Sequence, residues 1–142
     1  MAFDIEALLD LWTELRTDPA AAADAFRVLY TDPVVVNGTA LTAEDLVSRA
    51  RVLRQTFDPL RREVIDVVDA GDKVAVAFRL SGRHVGPLNT AAGVLAPTGR
   101  EIALRVIDIL TLTDGRISEI TMVADELAAL VAVGAARLVA QS

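Results

Sequence analysis

The sequence predicts an α+β domain, with helices gathered on one face of a curved antiparallel sheet. Three observations carry that reading. Apolar residues recur at helical spacing between Asp4 and Phe57, their period drops to two after Pro59, and helical spacing returns after Asp125. Helices first and strands afterwards is the segregated order of α+β domains, not the alternation of parallel α/β folds.

Each element has its own signal. Ile5, Leu8, Leu9, Trp12 and Leu15 form one stripe on a first helix from Asp4 to Arg16. Asp18 and Pro19 supply an N-cap and a first-turn proline, and Ala22, Ala25, Phe26 and Leu29 carry a second helix to about Tyr30. A short strand at Val34, Val35 and Val36 stops at Asn37-Gly38. Thr42 and Asp45 read as a variant capping box that opens a third helix through Leu46, Val47, Ala50, Leu53 and Phe57. Strands then run from Glu63 to Asp69, Lys73 to Ser81, Glu101 to Thr113 and Arg116 to Ala124, with turns at Ala70-Gly71-Asp72 and Asp114-Gly115. Asp125 to Val133 returns to helix, with Gly134 as its C-cap. The one long irregular segment, His84 to Thr98, is expected to cross the mouth of the sheet.

Composition narrows the function. A single domain is expected over residues 1–142, long enough to bury about two-thirds of its unfolded surface. Cysteine is absent, which excludes disulfides, thiolate metal sites and cysteine nucleophiles. Hydrophobic residues make up 53% of the chain, above the ~45–50% usual for soluble domains. That surplus, with a mean hydropathy of +0.42, is expected to line a pocket for a small apolar molecule or a homodimer contact across the sheet. A net charge of −6 and scattered arginines argue against nucleic acid. No segment reaches the ~18 uninterrupted apolar residues of a membrane span, and the N-terminus is acidic where a signal peptide is basic, so a cytoplasmic location is expected.

The Asp114-Gly115 turn sets an expected register for the last hairpin. A two-residue type I′ turn pairs Thr113 with Arg116, and counting back sets Leu110 opposite Glu119, Asp108 opposite Thr121 and Leu104 opposite Asp125. One face would then carry Asp108, Thr121 and Asp125 among Leu104, Val106 and Val123, and this is the face assigned to the pocket. The other would carry Ile107, Ile109, Ile120, Met122 and Ala124. Burial of Asp108 between Val106 and Leu110 would raise its pKa and suit it to acid or base chemistry, unless an arginine such as Arg79 pairs with it. Asp125 also stands where the last helix needs an N-cap. His84, the sole histidine, is either a general base or a structural loop residue. Trp12, Tyr30 and Phe57 could line the pocket or fill the core. No phosphate-binding glycine loop or serine nucleophile elbow is present, and a zinc site would need carboxylates alone beside His84.

Three segments, AGDKVAVAFRLSGRHVGPL, PTGREIALRVIDILTLTDGRISEI and MVADELAALVAVG, resemble the SnoaL-like polyketide cyclases and ester cyclases of the nuclear transport factor 2-like superfamily. The resemblance implies a cone-shaped α+β barrel, three helices capping a strongly bent sheet around an apolar cavity, usually as a homodimer. It implies aldol cyclisation of polyketide esters without metal or organic cofactor, with an aspartate as acid and base. The family's last-strand aspartate aligns with Asp125, and a second in-strand acid aligns with Asp108. The chain departs from the family pattern at Thr121, Ala132, Asn37 and Arg83. Met122 stands where the related epoxide hydrolases carry an aspartate, while an isomerase-like proton shuttle would pair Asp108 with Tyr30. The expected activity is a cofactor-independent cyclase or isomerase in which Asp125 or Asp108 removes a proton beside a carbonyl. His84 or Asn37 would steady the enolate, and Trp12, Tyr30, Asn37, Phe57, Arg79 and Thr121 would contact the substrate. The alternative is a non-catalytic ligand-binding or accessory protein with the same pocket.

Overall fold

The computed structural model describes residues 2–14 and 16–140. Helix α1 (Ile5–Thr13) is followed by α2 (Pro19–Leu29), strands β1 (Tyr30–Val36) and β2 (Thr39–Leu41), and α3 (Ala43–Thr56). Then come β3 (Arg61–Asp69), β4 (Lys73–Arg83), the short β5 (Leu88–Thr90) and β6 (Gly93–Leu95), β7 (Glu101–Thr113), β8 (Arg116–Ala124) and α4 (Glu126–Ala132). The expected Leu15 of the first helical stripe lies outside the described residues.

Every helix starts on a side-chain cap that satisfies an otherwise orphaned amide. The carboxylates of Asp4, Asp18 and Asp125 accept from Ala7, Ala20 and Ala128 N–H groups at 3.0, 3.1 and 3.0 Å. At α3 the capping box is reciprocal: Asp45 N–H donates to Thr42 Oγ1 at 3.1 Å, and Thr42 N–H donates to Asp45 Oδ2 at 2.9 Å. Arg27 of α2 ties α3 to the β1 entry by pairing with Asp24, Asp32 and Glu44.

Six strands form one sheet in the order β2-β1-β8-β7-β4-β3. All neighbours are antiparallel except β1 and β8, which run parallel, so the sheet is mixed and not wholly antiparallel as expected. It curls without closing into a barrel, since β2 and β3 stay unpaired edges. Val74, Val76, Phe78 and Leu80 alternate along β4 on the concave face and are buried under α1 to α3. A second, smaller cluster built on Phe57, Ile102 and Ala129 anchors Leu88 and Leu95 of the β5–β6 hairpin, an ordered ribbon inside the segment expected to be irregular.

The last hairpin corrects the expected register. Thr113 does pair with Arg116, but Leu112 pairs with Ile117 and Thr111 with Glu119, leaving Ser118 as an extra residue. This β-bulge shifts everything beyond it by one position. Asp108 therefore faces Met122, Leu110 faces Ile120, and Val106 faces Ala124. Ile120, Met122 and Ala124 belong to the concave side, and Thr121 and Val123 point outward, the reverse of the expected assignment. Nothing in the composition of the turn announces the bulge; the Ser118 hydroxyl fills it, 2.8 Å from Thr113 Oγ1.

Candidate functional site

The concave face and the helices leave a cavity of about 620 Å³. Its floor comes from alternate residues of three strands, Phe78 and Leu80 of β4, Leu104, Val106 and Asp108 of β7, and Ile120, Met122 and Ala124 of β8. Trp12 of α1 and Tyr30 of β1 close one wall, and Leu46, Leu53 and Thr56 of α3 line another. Exposed Ser48, Arg49 and Asn89 stand at the rim with Glu126, whose carboxylate accepts from Ala91 N–H at 3.0 Å and so ties the β5–β6 tip to α4. Those rim residues carry no motif and were not legible, because each is one polar residue among many on its element.

Asp108 is the one carboxyl on this floor. Its Oδ1 is buried without a hydrogen-bond partner among the described residues. Removal from water penalises the charged form and pushes its pKa up to about 7. Tyr30 is 2% exposed, and its oxygen accepts from Trp12 Nε1 at 2.8 Å. Burial raises the phenol's pKa first, the Trp12 bond lowers it, and the Asp108 charge raises it again, so the two groups sense each other across the cavity.

The other expected site residues lie elsewhere. Asp125 is exposed, caps α4, and borders a smaller outer depression with Arg105, Ile107 and Val123. Thr121 is displaced outward by the bulge. Arg79 is also on the outer face, opposite Arg105 and 3.5 Å from Glu63, so it does not pair with Asp108. Phe57 is 1% exposed in the smaller core cluster. Asn37 adopts φ 48° in the β1–β2 turn and uses its side chain as strand backbone, donating to Met122 O at 3.2 Å and accepting from Met122 N–H at 2.8 Å.

His84 is fully buried, and its Nδ1 accepts from Thr98 N–H at 3.1 Å. Its backbone bonds Gly99 and Arg100 as well, which closes the β5–β6 excursion at its base. The flanking glycines are steric: a Cβ on Gly82 would sit 2.5 Å from Pro59 O, and one on Gly86 would sit 2.4 Å from Gln55 O. The Gly-Arg-His-Val-Gly and Pro-Thr-Gly-Arg elements thus join a loop to the end of α3, and neither lines the cavity.

A helix-capped curled sheet around an apolar cavity with one buried carboxyl defines a class of small cavity proteins, and residues 5–133 match the SnoaL-like polyketide cyclase family. The chain belongs to that family. Among solved structures it is similar to TsrD from Streptomyces laurentii, with 24% identity, a TM-score of 0.77, and 93% of this chain and 92% of that one covered. A candidate SnoaL-like polyketide cyclase from Jannaschia sp. CCS1 is 27% identical with a TM-score of 0.68, covering 94% and 92%. A SnoaL-like polyketide cyclase from Agrobacterium tumefaciens strain C58 is 16% identical with a TM-score of 0.72, covering 92% and 94%. No curated protein matches. Family membership supports a cyclase or isomerase kind of activity. Among the described residues no helix is long and apolar enough to cross a membrane.

Proposed function

We propose that the protein is a cofactor-independent cyclase or isomerase that enolises an apolar, polyketide-like ketone or ester, with Asp108 as the base. The observation that carries this is the unpartnered Asp108 Oδ1 on an otherwise apolar cavity floor. A base works best when its pKa lies near the working pH, and about 7 meets that condition. The Asp108 carboxylate takes the hydrogen from the carbon beside the carbonyl. The C–H electrons form the enolate double bond, and the carbonyl electrons move to oxygen, where the Tyr30 hydroxyl donates to the developing charge. In an isomerisation the protonated Asp108 returns the hydrogen to another carbon. In a cyclisation the enolate carbon bonds to a second carbonyl of the same chain, and the resulting alkoxide takes the hydrogen from Asp108.

Acetonaphthone, an apolar aryl methyl ketone, tests the proton step before the physiological substrate is identified. In deuterium oxide the wild type exchanges the methyl hydrogens beside the carbonyl, and D108N slows the exchange by about 10²–10⁴-fold. Equal rates in the two proteins reject the base assignment and favour a non-catalytic binding role for the cavity.

We further infer that two copies meet through the outer sheet face. Ile65, Val68, Ile107, Ile109 and Val123 stand there 41%, 60%, 55%, 43% and 69% exposed. A continuous apolar patch of this kind is unfavourable in water and is covered by a second copy at the least structural cost.

A further inference from the structure

The cavity wall holds an aromatic pair whose hydrogen bond can run in only one direction. An indole nitrogen donates and never accepts, whereas a phenol oxygen does both. The 2.8 Å contact between Trp12 Nε1 and Tyr30 Oη therefore makes Tyr30 the acceptor. Its own hydrogen is left over, and no acceptor among the described residues takes it.

The rings are held so that this arrangement persists. Phe26, 1% exposed, meets Trp12 edge-on with centroids 5.4 Å apart and planes at 87°, and lies 5.6 Å from the Tyr30 ring. Tyr30 is also fixed at its backbone. It caps α2 by donating its N–H to Phe26 O, and it opens β1 opposite Ile117 of β8. A side chain rooted at a helix-to-strand joint, packed against Phe26 and hydrogen-bonded to Trp12, has little freedom to swing its hydroxyl away.

We propose that Trp12 is a positioning residue: by occupying one side of the Tyr30 oxygen, it turns the hydroxyl hydrogen into the cavity toward a ligand carbonyl. The proposal rests on the reading of Tyr30 as the carbonyl donor. Accepting a hydrogen bond restricts where the phenol hydrogen can point, while the indole counteracts part of the effect of burial on the phenol. Asp108 is the ionisable group that acts on Tyr30 from the cavity floor, and Trp12 keeps the two side chains in separate roles, one donating and one accepting.

Infrared difference spectra of bound acetonaphthone read the donor directly. The carbonyl stretch is expected at lower wavenumber in the wild type than in Y30F, with W12F between them. W12F also slows the deuterium exchange roughly tenfold, short of the ~10²–10³-fold loss typical of removing such a donor, with probe affinity kept within about twofold. The chain has one tryptophan, so a single indole N–H resonance reports the bond without ligand and is expected to move upfield in Y30F. A wild-type carbonyl stretch in W12F, a wild-type stretch in Y30F, or an indole resonance unmoved in Y30F each overturns the proposal. Should D108N leave exchange unchanged while the stretch still steps as described, the base assignment fails and the role of Trp12 stands.

Discussion

At the residue scale the proposed chemistry turns on where Asp108 ionises. In an unfolded chain an aspartate titrates near ~4, and in the fold Asp108 is pushed up to about 7 because burial disfavours its charged form. The neutral form suits the fold, so the stability it contributes is fully present below about pH 4 and is lost as pH rises through about 7. D108N carries no such loss. Urea midpoints of wild type and D108N should therefore diverge between pH 4 and 8, with the variant gaining on the order of a few kcal/mol relative to the wild type. Catalysis should move the opposite way: deuterium exchange by the wild type rises through about pH 7 and levels off above it, as the base loses its proton. The burial of Asp108 was legible in the sequence because Val106 and Leu110 flank it on a period-two strand. Asp125 and Thr121 were misplaced because their face depends on a register one extra residue reverses. Trp12 and Tyr30 sit on different elements, so their contact could not be read from spacing.

At the element scale, capping and glycine chemistry decide how the cavity is framed. The capping box, the Asp114-Gly115 turn and the four main strands follow from local rules that a sequence displays openly, and they form within two residues of where those rules put them. The Ser118 bulge, the parallel β1–β8 pairing and the β5–β6 ribbon do not, because each depends on tertiary partners: strand curvature, the Asn37 side chain, and the smaller apolar cluster. The ribbon's attachment is testable through Gly86. An added methyl would lie 2.4 Å from Gln55 O and 3.1 Å from the Thr56 Cα, both backbone atoms that cannot rotate aside. G86A should lower stability by about 1–3 kcal/mol in urea denaturation, with a parallel loss of probe binding as Leu88 and Asn89 leave the cavity rim.

At the scale of the whole molecule, one sheet presents two largely apolar faces. Its concave face supplies the cavity floor, and its outer face carries the exposed Ile107 and Val123 beside Arg105 and Asp125. High overall hydrophobicity was legible as a surplus to be hidden, but composition alone could not divide it between a pocket and an interface. If two copies meet there, V123D places a charge in the contact, and light scattering should show the wild-type mass halved while circular dichroism stays unchanged. A wild type that already scatters as a monomer at high concentration would reject the interface and leave the cavity reading intact.

A carbon NMR titration of the Asp108 side-chain carboxyl in the intact, ligand-free protein tests Asp108 as the base most directly. The predicted midpoint is about pH 7, set by burial on an apolar floor. A midpoint near the ordinary ~4 of an exposed aspartate would mean that water or a partner satisfies the carboxylate, and the cavity would then hold no base of the required strength.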